Sequence, residues 1–185
     1  MEKFVPEIST ELRKRIIEVP QVIYKASGIR ILGKRIKSLL FTTDVSIIRN
    51  TNADAIIAVY PFTPQPAITQ AIMEVAPVPV FCGVGGGLTT GQRSINIALH
   101  AEFQGAMGVV LNAPTSNEVI RKMKSQIDIP IVITVVSENE DIDGRIRAGA
   151  AIFNVSGGAK TPEIVKMIRK SYPEFPIIAT GGPTD

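Results

Sequence analysis

Glycine-rich turns are the first feature of this sequence that could support chemistry. Three of them, Gly85-Gly86-Gly87, Gly157-Gly158 and Gly181-Gly182, each follow a short apolar run and precede a segment with helical character. Glycine lets backbone N–H groups approach an anion closely, and the N-terminus of a following helix adds a favourable dipole. A simple tight turn is the structural alternative for any one of them. Because two successive turns share this composition, we predict a phosphate or carboxylate site; its residues are Ser156, Gly157, Gly158, Thr180, Gly181 and Gly182, with Arg93 in reach of the anion.

A small set of ionisable side chains could move protons at such a site. Asp44 follows an apolar run and could act as a general base, although its position also suits the N-cap of a helix. Glu138 stands close to Glu140 and Asp141, a group that could transfer a proton, hold a divalent metal or simply begin a solvated helix. Lys160 could pair with a phosphate or form an imine. We therefore predict Asp44, Glu138 and Lys160 as catalytic residues, with no required cofactor and a divalent metal as an option.

Two asparagines and two potential nucleophile or base side chains complete the candidates. Asn112 and Asn154 end apolar runs and could hydrogen-bond a substrate carbonyl or hydroxyl, so we predict them as substrate-binding residues. His100 is the only histidine and falls in the middle of a predicted helix, which favours a structural role and disfavours a Ser-His-Asp triad. Cys82 is the only cysteine, and without a neighbouring histidine it is expected to be a small buried residue.

The elements that must position these residues alternate along the chain. Apolar runs rich in β-branched residues cover 38–42, 55–60, 78–82, 108–111, 131–136, 152–155 and 177–180. Segments with helical spacing or helix-start signals lie between and after them, at 45–49, 66–75, 92–104, 117–126, 141–147 and 162–171. Runs that are apolar at nearly every position indicate strands buried on both faces, as in parallel sheets. Their steady recurrence predicts a parallel (β/α) barrel, whose site would lie where the strands end.

The chain is predicted to form a single α/β domain, residues 1–185, with the fold of a TIM-type barrel that is incomplete at its C-terminus. Residues 1–37 are expected to cap the barrel, with a helix over 9–18 and a hairpin that starts at Ile29 and leads into the first barrel strand. Residues 38–185 supply seven βα units, the last cut short. A complete barrel typically needs about 250 residues. The first and seventh strands would then be open edges, so we expect self-association into a homo-oligomer.

Two short runs resemble known barrels. The run Pro-Ile-Ile-Ala-Thr-Gly-Gly-Pro-Thr at 176–184 resembles the seventh-strand signature of phosphate-binding (β/α)8 barrels of the ribulose-phosphate-binding group. The hairpin region 31–42 is similar to the N-terminal hairpin of thiazole synthase and of some flavin-binding barrels. The resemblance implies a phosphate site beyond strands seven and eight, with Thr180, Gly181 and Gly182 as its first half. It does not extend to thiazole-forming chemistry, because Phe81-Cys82-Gly83 stands where thiazole synthase has its Schiff-base lysine.

Composition narrows the function classes. With 45% hydrophobic and 20% charged residues the chain is not expected to be disordered. Its single cysteine excludes a framework of disulfide bonds, and we expect a cytoplasmic protein without a membrane partner. The net charge is +3, and the basic residues are concentrated near the N-terminus. No aromatic residues are interleaved with them, which argues against nucleic acid as a partner. We expect an enzyme that binds a small anionic or phosphorylated metabolite and performs isomerase- or lyase-type proton transfer. The alternatives are a metal-assisted hydrolase and a non-catalytic ligand-binding or assembly module.

Overall fold

The computed structural model describes residues 4–181, and its main feature is a sheet of seven parallel strands that curls into an incomplete barrel. The strands pair in chain order, so each lies beside its neighbours in sequence. They are β3 (Leu39–Phe41), β4 (Ala55–Ala58), β5 (Val80–Gly85), β6 (Gly108–Leu111), β7 (Ile131–Val135), β8 (Ile152–Val155) and β9 (Ile177–Ala179). Each strand corresponds to one of the apolar runs, which confirms the predicted fold class.

Helices follow the barrel strands and begin and end within two residues of their predicted limits. They are α1 (Val45–Arg49), α2 (Pro66–Val75), α3 (Gln92–Phe103), α4 (Asn117–Lys124), α5 (Ile142–Ala148) and α6 (Thr161–Ser171). Side-chain caps fix three of the starts, because Asp44, Ser116 and Asp141 each accept a hydrogen bond from a first-turn N–H group. A short 3-10 helix, Gly158–Lys160, precedes α6. Within the described part of the chain no helix is long and apolar enough to cross a membrane.

Two apolar clusters stabilise the sheet, one on each face. The outer cluster packs strand residues against the helices and includes Phe153, whose ring centroid lies 4.6 Å from that of Phe175. The inner cluster fills the concave face; its buried members are Ile36, Ala55, Ile57, Phe81, Val110, Val132, Ile152 and Ile178. Every residue of β4, β6, β7 and β8 is therefore buried, whichever face it points to. This is why the strands appear in the sequence as continuous apolar runs.

The predicted hairpin is present and closes the lower end of the concave face. It consists of β1 (Ile29–Ile31) paired antiparallel with β2 (Lys34–Ile36), and the buried Ile36 joins the inner cluster. Asp54 ties the hairpin to the barrel, because its carboxylate accepts hydrogen bonds from the N–H groups of Lys37 and Ser38, at 2.8 and 3.1 Å. The hairpin thus anchors the first barrel strand from below.

The helix predicted over residues 9–18 is wrong. This segment lies extended and exposed, and its only β-type backbone pairing is an isolated parallel bridge between Ile17 and Thr51. Leu12, a residue of the predicted apolar stripe, is 99% exposed. A helix of this length is marginal in water without an apolar surface to pack against, and the barrel offers none at this place. A 3-10 helix forms later instead, over Gln21–Lys25.

The sheet ends in two strands with only one neighbour each. Within residues 4–181, β3 pairs only with β4 and β9 pairs only with β8. A cleft of about 1000 Å³ lies along this seam, lined by the hairpin region, β3 and the segment from Arg169 to Gly181. Residues 182–185, including Gly182 of the predicted phosphate site, lie outside the described residues.

Candidate functional site

Three polar side chains lie together on the concave face where β7, β8 and β9 end. The Thr180 hydroxyl donates to Asn154 Oδ1 at 2.6 Å, and Asn154 Nδ2 donates to Thr134 Oγ1 at 3.4 Å. Parallel register places Thr134 beside Asn154, one layer above the pair Val132–Ile152 of the inner cluster. The Asn154 side chain is buried, yet its second N–H and the Thr134 hydroxyl hydrogen remain available as donors. We call this group, with the turn described next, the β7–β9 corner.

The turn after β8 is built around Gly157. Its N–H donates to Thr161 Oγ1 at 3.0 Å, and the Thr161 hydroxyl in turn donates to the carbonyl of Thr180 at 3.4 Å. A Cβ at Gly157 would come within 2.6 Å of the terminal methyl of Ile164, so the turn and α6 approach closely here and a larger residue would displace that methyl. The turn and the end of β9 are therefore joined through Thr161, which is the first residue of α6.

The next two backbone groups are available to a ligand. Gly158, with φ of +59°, and Ala159 begin the short 3-10 helix, and their N–H groups donate to no acceptor among the described residues. The start of a helical segment presents such groups with a favourable dipole. Of the predicted phosphate-binding residues, the structure thus brings Ser156, Gly157, Gly158, Thr180 and Gly181 to neighbouring strand ends, β8 and β9.

Two predicted catalytic residues also lie on this side of the barrel. Lys160 Nζ is 3.5 Å from Glu138 Oε1, which joins the loop after β8 to the loop after β7. Their side chains are 74% and 49% exposed, so the pair contributes little to stability and can open at small cost. A cation and a carboxylate are therefore both free to turn toward a ligand at the corner.

The other carboxylates of the β7–α5 loop have structural partners. Arg145 is buried, and its guanidinium donates twice to Glu140 Oε1, at 2.9 and 2.7 Å. The same group donates to the carbonyl oxygens of Ala113, at 2.7 Å, and Thr115. Asp141 caps α5 through the Gly144 N–H, at 2.9 Å. Arg145 therefore fixes the β6–α4 and β7–α5 loops relative to each other.

These partners leave no carboxylate cluster for a metal. Glu140 is bound to Arg145, Asp141 caps α5 and Glu138 faces Lys160. Among residues 4–181 no group of three His, Cys, Asp or Glu side chains is placed to hold a metal ion. The residues predicted for metal-assisted hydrolysis thus do not fit a metal in this arrangement.

Asp44 lies at the start of α1 and acts as its N-cap. Its carboxylate accepts hydrogen bonds from Ser46 N, Ile47 N and the Ser46 hydroxyl, at 2.8, 3.2 and 2.7 Å. The bond from the Ser46 side chain, with the two backbone bonds, lowers the pKa of Asp44 below its ordinary value. All three bonds go to Oδ1, as expected of an N-cap, whereas Oδ2 accepts no hydrogen bond from the described residues.

Arg93 and Asn112 lie away from the corner. Arg93 is exposed in the first turn of α3, and Asn112 is exposed just beyond the end of β6. Asn112 and the β5–α3 loop border a small pocket. Gly86 of this loop packs so closely against Asn112 that a Cβ at Gly86 would come within 2.4 Å of Asn112 N. The structure therefore separates these two candidates from the predicted anion-binding turn.

Neither His100 nor Cys82 is placed for catalysis. His100 is exposed on α3, several turns along the helix from its N-terminus. Cys82 is 1% exposed in the outer cluster, and burial raises the pKa of its thiol to about 12. Such a thiol is protonated at neutral pH and unreactive.

Three residues of this region were missed by sequence reasoning: Thr134 and Thr161 as members of the corner, and Arg145 as the clamp beneath it. Thr134 carried a signal, since it is the single polar residue in the buried run of β7. The contacts by which Thr161 and Arg145 join separate loops carried none, because Thr180 lies 19 residues from Thr161 and Ala113 lies 32 residues from Arg145 in the sequence.

Comparisons with known proteins support the fold. The sequence matches no protein-family model and no curated protein. Dihydrodipicolinate synthase from Aquifex aeolicus is 17% identical, with a TM-score of 0.56 over 75% of this chain and 55% of that chain. Phosphonopyruvate hydrolase in complex with oxalate and Mg²⁺ is 13% identical, with a TM-score of 0.60 over 77% and 66%. Mandelate oxidase with a fluorinated hydroxyphenylpropionic acid is 14% identical, with a TM-score of 0.61 over 83% and 61%.

At these identities the comparisons establish the fold alone. The described residues form a partial TIM-type (β/α) barrel, and the chain spans little more than half the length of dihydrodipicolinate synthase. The barrel expected from sequence is confirmed. The narrower resemblance to the ribulose-phosphate-binding group and to thiazole synthase is not supported by these neighbours, whose fold hosts many chemistries.

The N-cap role of Asp44 is testable by substitution. Asp44→Ala should lower the melting temperature by about 2–4 °C, the usual effect of losing a helix N-cap in a chain of this size. Asp44→Asn should retain most of the stability, because asparagine is an equally good N-cap. Thermal unfolding followed by circular dichroism measures both.

The pH dependence of stability provides a control for the N-cap role of Asp44. Because the pKa of Asp44 is lowered in the folded protein, the contribution of its charge is present above the ordinary value of 3.8 and is lost as the pH falls through the folded value. The advantage of the native protein over Asp44→Asn should therefore disappear in strong acid. An Asp44→Asn variant as unstable as Asp44→Ala at neutral pH would contradict the cap.

Proposed function

We propose that this barrel is an enzyme that binds a small anionic metabolite, bearing a phosphate or carboxylate, at the β7–β9 corner and catalyses isomerase- or lyase-type proton transfer. The observation that carries the proposal is the hydrogen-bonded layer Thr134–Asn154–Thr180 beside the unpartnered N–H groups of Gly158 and Ala159. Functional sites of TIM-type barrels lie at this end of the strands. Two structural neighbours were solved with carboxylate ligands, oxalate and a hydroxyphenylpropionic acid, which supports the anionic class.

The anion would be held by the turn after β8. The Gly158 and Ala159 N–H groups would donate to its oxygens, with the Thr180 hydroxyl and Gly181 beside them at the end of β9. Lys160 would leave its exposed partner Glu138 and pair with the ligand, because a phosphate carries more charge than a carboxylate. Ser156 would line the same turn. Arg93 lies on α3, outside this arrangement.

Proton transfer would use the groups next to the anion. Once Lys160 has turned to the ligand, the Glu138 carboxylate would take a proton from a carbon beside a carbonyl, and the electron pair would move to the carbonyl oxygen. That oxygen would accept hydrogen bonds from Asn154 Nδ2 and the Thr134 hydroxyl, which stabilise the negative charge it acquires. Return of the proton to a neighbouring carbon gives an isomerase, whereas cleavage of an adjacent bond gives a lyase. Asp44 stays a separate candidate base at the end of β3.

Anion binding can be measured with inorganic phosphate. At ten times its dissociation constant, phosphate should raise the melting temperature by about 3–6 °C relative to chloride at equal ionic strength. Lys160→Gln and Thr180→Val should each reduce the shift, because they remove a charge and a hydroxyl from the site. Lys166→Gln, at an exposed position on α6, and Thr90→Val, exposed in the β5–α3 loop, are the matched controls and should leave it unchanged.

Catalysis is separated from simple binding by hydrogen exchange of the ligand. Phosphorylated sugars and 2-oxo acids that stabilise the protein should exchange a carbon-bound proton in D₂O, followed by proton NMR, and Glu138→Gln should slow this exchange by about 100-fold or more. Binding without exchange for every stabilising ligand would favour the non-catalytic module. No thermal shift with any anion would reject the proposed site.

We also infer self-association through the open strands. Among residues 4–181, β3 and β9 each pair on one edge only, and Phe41 of β3 is 38% exposed beside the cleft between them. Size-exclusion chromatography with light scattering should show an oligomer, and Phe41→Lys should shift it toward monomer because a charge on an edge strand opposes pairing. Monomer alone at high protein concentration would contradict this inference.

A further inference from the structure

A second, smaller cavity opens at the same end of the barrel, over strands the β7–β9 corner does not use. Its volume is about 150 Å³, and its walls are residues 59–64 after β4, the end of β5 with the loop that follows, and Val110 and Asn112 of the β6 region. Engineered apolar cavities of about this size in other proteins admit a benzene molecule. We call it the β4–β6 pocket.

The chemistry of its walls is uncharged. No Asp, Glu, Lys, Arg or His lines the pocket; apolar carbons form somewhat more than half of its surface, and uncharged polar atoms form the rest. A charged group that entered would lose hydration without gaining a charged partner, which is unfavourable. The β4–β6 pocket therefore selects against ions, in contrast with the corner, where Lys160 and free N–H groups lie.

Hydrogen bonds within and between the surrounding loops hold the walls of the pocket in place. The Tyr60 hydroxyl accepts a hydrogen bond from Gln65 N at 2.9 Å, which fixes the ring and the loop before α2. The β5–α3 loop is closed by bonds from Gly86 N and from the Ser94 hydroxyl to the Thr89 carbonyl, both at 2.9 Å. Asn112 N donates to Gly85 O at 3.0 Å, which joins this loop to β6.

Two exposed apolar side chains and one amide stand around the opening. Phe62 is 74% exposed and Leu88 is 102% exposed, although both line the pocket. Large apolar side chains this exposed at a pocket rim gain by covering a bound apolar group. The Asn112 side chain makes no hydrogen bond to any described residue, so its amide can donate to and accept from a ligand.

From these observations we infer that the β4–β6 pocket binds an uncharged, ring-sized part of the substrate, oriented by the Asn112 amide. This inference rests on the proposed function and names the substrate class more closely: a molecule with an anionic end at the β7–β9 corner and a neutral end here. β6 and β8 are separated by one strand, so the two ends would lie about 10 Å apart, twice the spacing of neighbouring strands.

Three probes of equal size and different charge test the inference directly. Benzamide, benzoate and benzamidine have the same ring with a neutral, an anionic and a cationic group. In ¹H–¹⁵N NMR titrations of the full chain, benzamide should shift the amides of Val59, Tyr60, Phe62 and Thr63 and those of residues 83–89 and 110–112. At these amides benzamide should bind about tenfold or more tightly than either ion, whereas the carboxylate of benzoate should shift residues 156–161 and 180–181 of the corner.

Variants separate this pocket from a non-specific surface effect. Asn112→Ala should weaken benzamide by about five- to tenfold, as expected for losing one or two hydrogen bonds. Gly87→Val should weaken it, because Gly87 lines the pocket and a Cβ there meets nothing within 4 Å, so the substitution adds bulk to the wall without a clash. Asn139→Ala, at an exposed position in the β7–α5 loop, is the matched control and should have no effect.

Inorganic phosphate titrated into the same sample distinguishes the two proposals. Shifts from phosphate at residues 156–161 and 180–181 with none from benzamide would overturn the β4–β6 assignment and leave the anion site standing. Benzamide binding without any response to phosphate would overturn the anion site and leave the β4–β6 assignment standing. Equal or tighter binding of benzoate or benzamidine at the pocket residues, benzamide shifts confined to other parts of the chain, or an unchanged benzamide affinity in Asn112→Ala would also overturn the inference.

Discussion

The packing of apolar side chains on the concave face of the parallel sheet is the interaction on which the rest of the structure depends. Residues such as Ile57, Phe81, Val132 and Ile152 point inward from successive strands and, with Ile36 of the hairpin below them, fill the interior. Burial of each such side chain is worth about 1.5–3 kcal/mol. This layer holds the strands in one register, so that their carboxyl ends, and the side chains just above the layer, come together.

Above the apolar layer the concave face changes character from one side of the barrel to the other. On β7, β8 and β9 the next inward positions are Thr134, Asn154 and Thr180, which hydrogen-bond to one another and leave donors free. On the β4–β6 side, the glycines of β5 and the side chain of Val110 leave a small uncharged space. One scaffold thus presents a surface with free donors and a cation beside an uncharged one, which is the basis for proposing a substrate with two unlike ends.

The sequence predicted the elements well because their signals are local. Strands buried on both faces appear as unbroken apolar runs, and helix starts carry Asp44, Ser116 or Asp141 as caps. The prediction of a helix over residues 9–18 was wrong for the same reason. Its local pattern suits a helix, but no apolar surface lies nearby to stabilise one. Of the site, Asn154, Thr180 and the Gly157 turn were found as single strand-end residues. Their connection through Thr134 and Thr161, and the role of Arg145, depend on contacts between distant parts of the chain.

A crystal structure of the protein with bound inorganic phosphate tests the central claim most directly. The account predicts a phosphate whose oxygens lie within hydrogen-bond distance of the Gly158 and Ala159 N–H groups and the Thr180 hydroxyl, with Lys160 turned away from Glu138 to meet it. A phosphate held instead by the basic residues near the N-terminus, with the turn after β8 empty, would contradict the account.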